Sequence, residues 1–239
     1  MQLKDATLLV VDDEPYYCEI AKDWFEREGC RVLIAENGVA ALQLLENEKA
    51  DAIITDIRMP CMDGVDLVRH LKASGSYTPT AIALTGFSDV SARDAYDLGI
   101  EAQLSKPVSR KVLIAAVQAA LNDRKQVWTT PAIDVRSGCH EIRSTFGSLQ
   151  SARDNHQIAF GRGGFCLRSE VTIPDDTGIE FQFSFELDRQ RLCGHGIVRW
   201  ICVEEQHIGV EIMSIEEGIE WIDKLAKENA SVSFIPRTT

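Results

Sequence analysis

Long apolar runs are missing from this chain. No segment of its 239 residues approaches the roughly 20 consecutive apolar residues that a membrane-spanning helix requires. The first residues, MQLKDATLLVVDDE, also lack the basic and apolar regions of a secretory signal peptide. We therefore expect a cytoplasmic protein with no membrane span.

Positive charge is also scarce. The 25 Lys and Arg residues face 37 Asp and Glu residues, which gives a formal net charge of −12, and acidic residues are in excess in both halves of the chain. A protein that binds nucleic acid usually presents a basic face to the phosphate backbone. The composition therefore argues against DNA binding.

Paired cysteines are absent as well. The seven cysteines are an odd number and include no CxxC pair. Disulfide frameworks and zinc sites usually show even numbers or close pairs of cysteines. The scattered cysteines predict reduced, buried thiols, as in a cytosolic protein, rather than a metal site.

Strand and helix patterns alternate through residues 1–125. The strand-like segments are ATLLVV, RVLIA, AIIT, TAIALT and AQLS, and each is followed by a helical pattern. Strands that are apolar on both faces and alternate with helices predict a parallel sheet covered on both sides. Right-handed crossovers then make the fold α/β, with a doubly wound sheet.

The pattern changes in the second half of the chain. Residues 126–131, which end at Pro131, are interpreted as a linker between residues 1–125 and a second domain at 132–239. From about residue 157 apolar and polar residues alternate, which predicts mainly antiparallel strands. Ser214 and Glu217 have the spacing of a capping box and predict the start of a C-terminal helix there. The pattern within 132–156 does not assign a structure.

Five polar side chains follow the predicted strands of the first half. They are Asp12, Asp13, Asp56, Thr85 and Lys106. Because sites in doubly wound sheets lie at the carboxyl ends of the strands, we expect these side chains to converge. Three converging carboxylates require a cation, and oxygen ligands favour Mg²⁺. A metal and an ammonium beside a carboxylate can hold a phosphoryl group in line, so the set predicts phosphoryl transfer to an Asp.

At this point residues 4–125 resemble the receiver domain of two-component response regulators. The resemblance is carried by the acidic pair, by DIRMPCMDG, by the Thr after AIAL and by Lys-Pro after AQLS. It implies a five-stranded, flavodoxin-like sheet with the strand order 2-1-3-4-5 of that family. It also implies a Lys106–Pro107 peptide bond that is often cis.

The resemblance assigns a role to each of these residues. Asp56 would be the phosphoacceptor, with Lys106 binding the phosphoryl group and Thr85 acting as the switch hydroxyl. The metal ligands would be Asp12, Asp13, Asp56 and the backbone carbonyl of Arg58. Such a domain catalyses only its own phosphorylation and dephosphorylation, so we do not expect an enzyme acting on other substrates.

One position departs from the receiver pattern. Three residues before Lys106 the family usually has an aromatic side chain that moves inward with the Thr, and here it is Gln103. We expect the phosphorylation chemistry to survive this change. We do not expect the usual coupling of Thr85 to an aromatic switch.

The second half resembles a PilZ domain, a small β-barrel that often binds cyclic di-GMP. The resemblance rests on the segments GGFCL, GIVRW and GVE, and covers about residues 130–230. Nucleotide binding in that family uses an RxxxR segment and a D/N-x-S-x-x-G turn. Here Ala159 and Gly161 occupy the Asp/Asn and Ser positions of the turn, and no Arg lies four residues after Arg136, Arg143 or Arg153. Both parts of the nucleotide site are missing, so cyclic di-GMP is not an expected cofactor.

These features predict a bacterial response regulator that receives a phosphoryl group from a histidine kinase or a phosphotransfer protein. The PilZ-like domain would act by contact with a downstream protein whose identity the sequence does not give. The alternative is a cyclic di-GMP effector gated by phosphorylation. A third class, an output enzyme or a transcription factor, lacks a nucleophile–base pair and a basic helix. The oligomeric state stays open, with a homodimer among the alternatives.

Overall fold

The computed structural model describes residues 2–73, 79–86, 91–122, 124–129, 140–169, 173–228 and 234–236. The chain divides into an N-terminal unit, Met1–Asn122, and a C-terminal unit, Asp123–Thr239. In the described ranges no helix is long and apolar enough to cross a bilayer.

The N-terminal unit is a five-stranded parallel sheet flanked by helices. Its strands are β1 (Thr7–Val11), β2 (Arg31–Ala35), β3 (Ala52–Asp56), β4 (Thr80–Thr85) and β5 (Ile100–Ser105). Its helices are α1 (Pro15–Glu26), α2 (Gly38–Leu45), α3 (Gly64–Ala73), α4 (Ala92–Asp97) and α5 (Arg110–Leu121), with a short 3₁₀ helix at Leu3–Asp5. The strand order is β2-β1-β3-β4-β5, and all pairings are parallel. The predicted doubly wound α/β fold and its strand order are confirmed.

Local sequence explains why these segments form. Every residue of β3 is buried, as expected for a central strand covered on both faces. Pro15 occupies the first turn of α1, where its missing N–H costs no hydrogen bond. The side chains of Asn37 and Ser109 cap α2 and α5 by accepting from the backbone N–H groups of Ala40 and Val112.

The C-terminal unit is built on one six-stranded sheet. Its strands are β6 (His140–Phe146), β7 (Ile158–Phe160), β8 (Gly164–Arg168), β9 (Gly178–Phe185), β10 (Gln190–Cys202) and β11 (His207–Glu217). Its helices are α6 (Arg124–Thr129), α7 (Leu149–Asp154) and α8 (Ile219–Glu228). The order β6-β9-β10-β11-β8-β7 is mainly antiparallel, but β6 pairs with β9 in parallel. A mainly β, mainly antiparallel domain with a C-terminal helix is confirmed, and the parallel pairing of β6 with β9 was not predicted.

The core of the C-terminal unit is aromatic. Along β9 the buried residues alternate with half-buried ones, and Phe181, Phe183 and Phe185 all lie in the core. The ring of Phe165 meets the rings of Phe181 and Phe183 edge to face, with centroids 5.1 Å apart in each case. These aromatic residues supply the burial that a small sheet needs to be stable.

The predicted linker at 126–131 is wrong for its described part. Residues Arg124–Thr129 form α6, and Trp128 is buried in the core of the C-terminal unit. Its indole N–H donates to the carbonyl of Ile212 at 3.1 Å. A large aromatic side chain with a satisfied donor stabilises more when packed than when left in solvent. The boundary between the units therefore lies after Asn122 rather than at 126–131.

The predicted helix start at Ser214 is also wrong. Ser214 lies within β11, which continues to Glu217, and α8 begins only at Ile219. Cross-strand pairing of β11 with β10 extends through Ile215 and Glu217, and this pairing outcompetes the local capping signal. The apolar positions Ile222 and Leu225 of the predicted helix are buried as expected.

Candidate functional site

The parallel sheet brings four of the predicted site residues together. Asp12 directly follows β1, while Asp56 and Thr85 end β3 and β4. Lys106 directly follows β5. Because parallel strands in one sheet end at the same edge, all four residues lie at the carboxyl edge of the N-terminal unit.

The ammonium of Lys106 connects two of the carboxylates. Lys106 Nζ lies 2.7 Å from Asp12 Oδ2 and 2.6 Å from Asp56 Oδ1. Only 15% of the Lys106 side chain, 2% of that of Asp12 and 9% of that of Asp56 is exposed. These charged contacts are therefore screened little by solvent.

Backbone groups hold the remaining oxygens in place. Asp12 Oδ1 accepts from the N–H of Glu14 at 3.0 Å, and Asp56 Oδ2 accepts from the N–H of Arg58 at 2.7 Å. The N–H of Lys106 donates to the carbonyl of Thr85 at 2.7 Å, which links the ends of β4 and β5. The Lys106–Pro107 peptide bond is cis, as the receiver resemblance implies.

Burial and charge act in opposite directions on the pKa values of the site. Burial raises the pKa of Asp56 above its ordinary value, and it outweighs the hydrogen bond and charge of Lys106, which act to lower it. For Lys106 burial acts to lower the pKa, but the hydrogen bonds to Asp12 and Asp56 outweigh it, so the pKa is raised. The lysine is therefore held charged, whereas the buried Asp56 carries an energetic cost when ionised.

The other proposed metal ligands belong to exposed residues. Asp13 and Arg58 are both exposed. Within the described part of the chain, no three His, Cys, Asp or Glu side chains are grouped so as to hold a metal ion. The donor chemistry nevertheless fits a hard cation. The two negative charges of Asp12 and Asp56 share the one positive charge of Lys106, and Asp13, the residue after Asp12, adds a further carboxylate.

Thr85 and Gln103 lie on neighbouring strands. Thr85 is 3% exposed, and Gln103 is half-buried on β5, paired in register with Ala83 of β4. The structure thus places the side-chain amide of Gln103 on the strand next to the one that ends at Thr85, whose hydroxyl is the predicted switch.

Two contacts of the site were not predicted from the sequence. The ring of Tyr17 on α1 lies against Lys106, with Nζ 4.8 Å from the ring centroid. Gly64 approaches β3 so closely that a Cβ there would meet the carbonyl oxygen of Asp56 at 2.1 Å. The Gly in DIRMPCMDG was a sequence signal for this approach. The position of Tyr17 depends on how α1 packs and had no local signal.

In the C-terminal unit, the positions predicted to replace a nucleotide-reading turn lie at the end of β7 and in the turn that follows it. Ala159 lies on β7, and the N–H of Gly161 donates to the carbonyl of Gly164 at 2.9 Å to close a tight turn. The adjacent Gly163 is covered by Phe234, whose ring leaves no room for a Cβ at that glycine. Arg143 forms an ion pair with Glu141. Arg136 lies outside the described residues.

Comparison with known proteins agrees with the geometry of the N-terminal unit. The sequence pattern of the family "Response regulator receiver domain" matches residues 8–118. Response regulator MprA of Mycobacterium avium (strain 104) is 34% identical over 168 residues, which cover 67% of this chain and 69% of the relative. Regulator of RpoS of Escherichia coli (strain K12) is 36% identical over 103 residues, which cover 42% of this chain and 30% of the relative.

Other matches cover only about half of this chain. Response regulator MprA of Mycobacterium sp. (strain KMS) is 36% identical over 115 residues, or 48% of this chain, and the chain spans only 50% of that relative's length. A solved structure of a response regulator receiver domain protein from Clostridium thermocellum is 33% identical, with a TM-score of 0.46, over 51% of this chain and 98% of that one. The chain belongs to the response regulators of two-component systems, and residues 8–118 form its receiver domain.

Proposed function

We propose that the N-terminal unit accepts a phosphoryl group on Asp56 from a histidine kinase or a phosphotransfer protein. The observation that carries this proposal is the contact of one buried ammonium, Lys106, with both Asp12 and Asp56. An ammonium fixed beside a carboxylate nucleophile stabilises the negative charge of a phosphoryl group at that carboxylate.

Asp56 acts as the nucleophile in this reaction. A carboxylate oxygen of Asp56 forms a bond to phosphorus while the bond from phosphorus to the donor's leaving group breaks. The leaving group, an imidazole nitrogen or a small carboxylate, departs with the bonding electron pair. Lys106 transfers its hydrogen bond from Asp56 Oδ1 to a phosphoryl oxygen and retains Asp12 Oδ2, so its charge stays within the site.

The carboxylates of Asp12, Asp13 and Asp56 and the backbone carbonyl of Arg58 would hold Mg²⁺. When bound, the cation neutralises charge on the phosphoryl oxygens during transfer. The chain's own residues fix the rest of the arrangement. The N–H of Arg58 orients Asp56, and the N–H of Glu14 orients Asp12.

Thr85 supplies a hydroxyl that can report the presence of the phosphoryl group. It is buried at the end of β4, and its carbonyl is bonded to the N–H of Lys106. A change in the hydroxyl's hydrogen bonding would be transmitted along β4 and β5, where Gln103 replaces the usual aromatic switch. We therefore propose that the signal leaves the receiver without an inward-moving aromatic side chain.

We further propose that the C-terminal unit is a degenerate PilZ-like domain that acts by protein contact. Ala159 and Gly161 offer no polar side chain to read a guanine, and Phe234 covers the adjacent Gly163. Neither feature favours cyclic di-GMP as a ligand. Tight binding of the dinucleotide in a calorimeter would replace this proposal with the phosphorylation-gated effector.

The phosphorylation proposal is tested with acetyl phosphate and Mg²⁺. We expect intact-mass spectrometry to show the gain of one phosphoryl group in the wild type and no gain in Asp56→Ala. A gain that persists in Asp56→Ala would show that another residue is modified. For the output, a pull-down comparing the beryllofluoride-treated wild type with Asp56→Ala should recover a protein partner only with the former.

A further inference from the structure

A tyrosine ring lies against the ammonium of the site. Tyr17 is the third residue of α1, and the Nζ of Lys106 lies over its ring, 4.8 Å from the centroid. A cation within about 6 Å of an aromatic centroid is attracted by the electron-rich face of the ring. The contact therefore adds a third attraction on Lys106, beside Asp12 and Asp56.

The surroundings of Lys106 favour a strong contact with the ring. Tyr17 and Lys106 line a pocket of about 190 Å³ whose other walls are mainly apolar and include Trp24, Val108 and Leu113. Only 15% of the Lys106 side chain is exposed. Cation–π attraction is larger when the cation is removed from water, as it is here.

The contact between Tyr17 and Lys106 suits phosphoryl transfer because it is made by a ring face and not by a hydrogen-bond acceptor. An ammonium carries three N–H donors, and Asp12 and Asp56 accept two of them. When a phosphoryl group arrives, the hydrogen bond to Asp56 Oδ1 must be exchanged for one to the new oxygens. A neutral aromatic face attracts the ammonium but does not compete with a phosphoryl oxygen for its N–H donors, as a further carboxylate would.

We infer that Tyr17 is a positioning residue for Lys106: its ring keeps the ammonium at Asp56 while the hydrogen bond passes to the phosphoryl group. This inference rests on the proposed phosphorylation of Asp56. Tyr17 acts through Lys106 rather than on the reacting carboxylate.

Tyr17 is suited to mutation because it contributes little to the core. The residue is 38% exposed, whereas the core positions of α1 are Cys18, Ala21 and Phe25. Tyr16 offers a matched control: it is the preceding residue of the same helix turn, is 73% exposed, and meets Tyr17 rather than Lys106 in its ring contact.

The test compares Tyr17→Leu, Tyr17→Phe and Tyr16→Leu with the wild type in the full chain. Phosphorylation by acetyl phosphate with Mg²⁺ is followed by intact mass at several donor concentrations, and circular dichroism checks that each variant is folded. A small donor removes any effect on the docking of a kinase. We expect Tyr17→Leu to lower the maximal rate about fivefold, with a smaller change in KM, and Tyr17→Phe to stay within about twofold of the wild type. Tyr16→Leu should match the wild type.

The outcomes separate this inference from the proposed function. If the wild type gains no phosphoryl group, the proposed function fails and the positioning role of Tyr17 fails with it. If the wild type is phosphorylated and Tyr17→Leu is equally fast, only the inference about Tyr17 is wrong. Equal slowing by Tyr17→Phe, or by Tyr16→Leu, would also overturn it, because the effect would then depend on the hydroxyl or on the helix surface.

A second measurement needs no phosphorylation. Urea unfolding of Tyr17→Leu, Lys106→Met and the double variant forms a double-mutant cycle. We expect Tyr17→Leu to lower the midpoint less in the Lys106→Met background than in the wild type. Equal shifts in both backgrounds would show that the ring and the ammonium are not coupled.

Discussion

The ammonium of Lys106 lies 2.6 Å from Oδ1 of Asp56, yet burial still leaves the pKa of Asp56 above its ordinary value. The site therefore holds a carboxylate whose ionised form is costly without a cation or a phosphoryl group. A carboxylate in this environment is stabilised when an added group brings compensating interactions.

Replacing Asp56 with Asn should stabilise the resting protein. The pKa of Asp56 is raised in the folded protein. The folded protein therefore gains stability as the pH falls from this raised pKa toward the ordinary pKa of an Asp. Above the raised pKa, the ionised carboxylate destabilises the fold. The neutral amide removes this cost at neutral pH. We expect the thermal midpoint of Asp56→Asn in EDTA to exceed that of the wild type by a few degrees, with the difference shrinking as the pH falls toward the ordinary pKa of an Asp. A lower midpoint at neutral pH would contradict this account.

Replacing Lys106 with Met should have the opposite effect. Asp12 and Asp56 would lose their shared cation and face each other as two buried like charges. Removing one partner of a buried ion pair costs roughly 3 kcal/mol. We expect a loss of this size in the free energy of urea unfolding at neutral pH, and a smaller loss in mild acid, where one carboxylate takes up a proton more readily. Arg110→Met is the control, since its ion pair with Glu28 lies at the surface and contributes little.

Mg²⁺ should stabilise the resting protein through Asp13. A ligand that binds the folded state raises its stability in proportion to the logarithm of the ligand concentration. We expect the thermal midpoint of the wild type to rise with MgCl₂ relative to EDTA. Asp13→Asn should abolish most of this rise while leaving the midpoint in EDTA nearly unchanged, because Asp13 is exposed. An undiminished Mg²⁺ response in Asp13→Asn would remove Asp13 from the ligand set.

The sequence predicted the convergence of the site residues because each follows an apolar strand. Asp12, Asp56, Thr85 and Lys106 are separated along the chain, but the strand pattern and the rule for doubly wound sheets place them at one edge. Tyr17 could not be predicted in the same way, because its contact with Lys106 depends on how α1 lies against the end of β5. No local spacing encodes that packing.

The errors in the C-terminal half have a similar cause. Trp128 belongs to a segment that resembles a linker in composition, and its burial depends on a pocket formed by distant residues such as Ile212. The capping signal at Ser214 is real as a local preference, but the pairing of β11 with β10 extends past it. Local patterns in both places were overridden by tertiary contacts.

Gly64→Ala should disturb both the fold and the reaction. A Cβ at this position would meet the carbonyl oxygen of Asp56 at 2.1 Å, and backbone cannot move away as a flexible side chain can. We expect a loss of about 2 kcal/mol in unfolding free energy and slower phosphorylation by acetyl phosphate, because the acceptor strand is displaced. Gly86→Ala is the matched control: it directly follows Thr85 at the same edge, and among the described residues its Cβ would meet no atom within 4 Å. Equal behaviour of the two variants would show that the close approach is unimportant.

Phe234 should be coupled energetically to Gly163. The ring of Phe234 is fully buried, its carbonyl accepts from the N–H of Gly163 at 3.0 Å, and a Cβ at Gly163 would lie 2.0 Å from the ring. Phe234→Ala should destabilise the C-terminal unit by about 3 kcal/mol through loss of burial, whereas Leu187→Ala, at a position that is 79% exposed, should have little effect. Gly163→Ala should be destabilising in the wild type and much less so in Phe234→Ala, where the ring that it would strike is gone. Urea unfolding of the wild type, the two single variants and the double variant measures the coupling, and additive effects would show that Phe234 does not pack on Gly163 in solution.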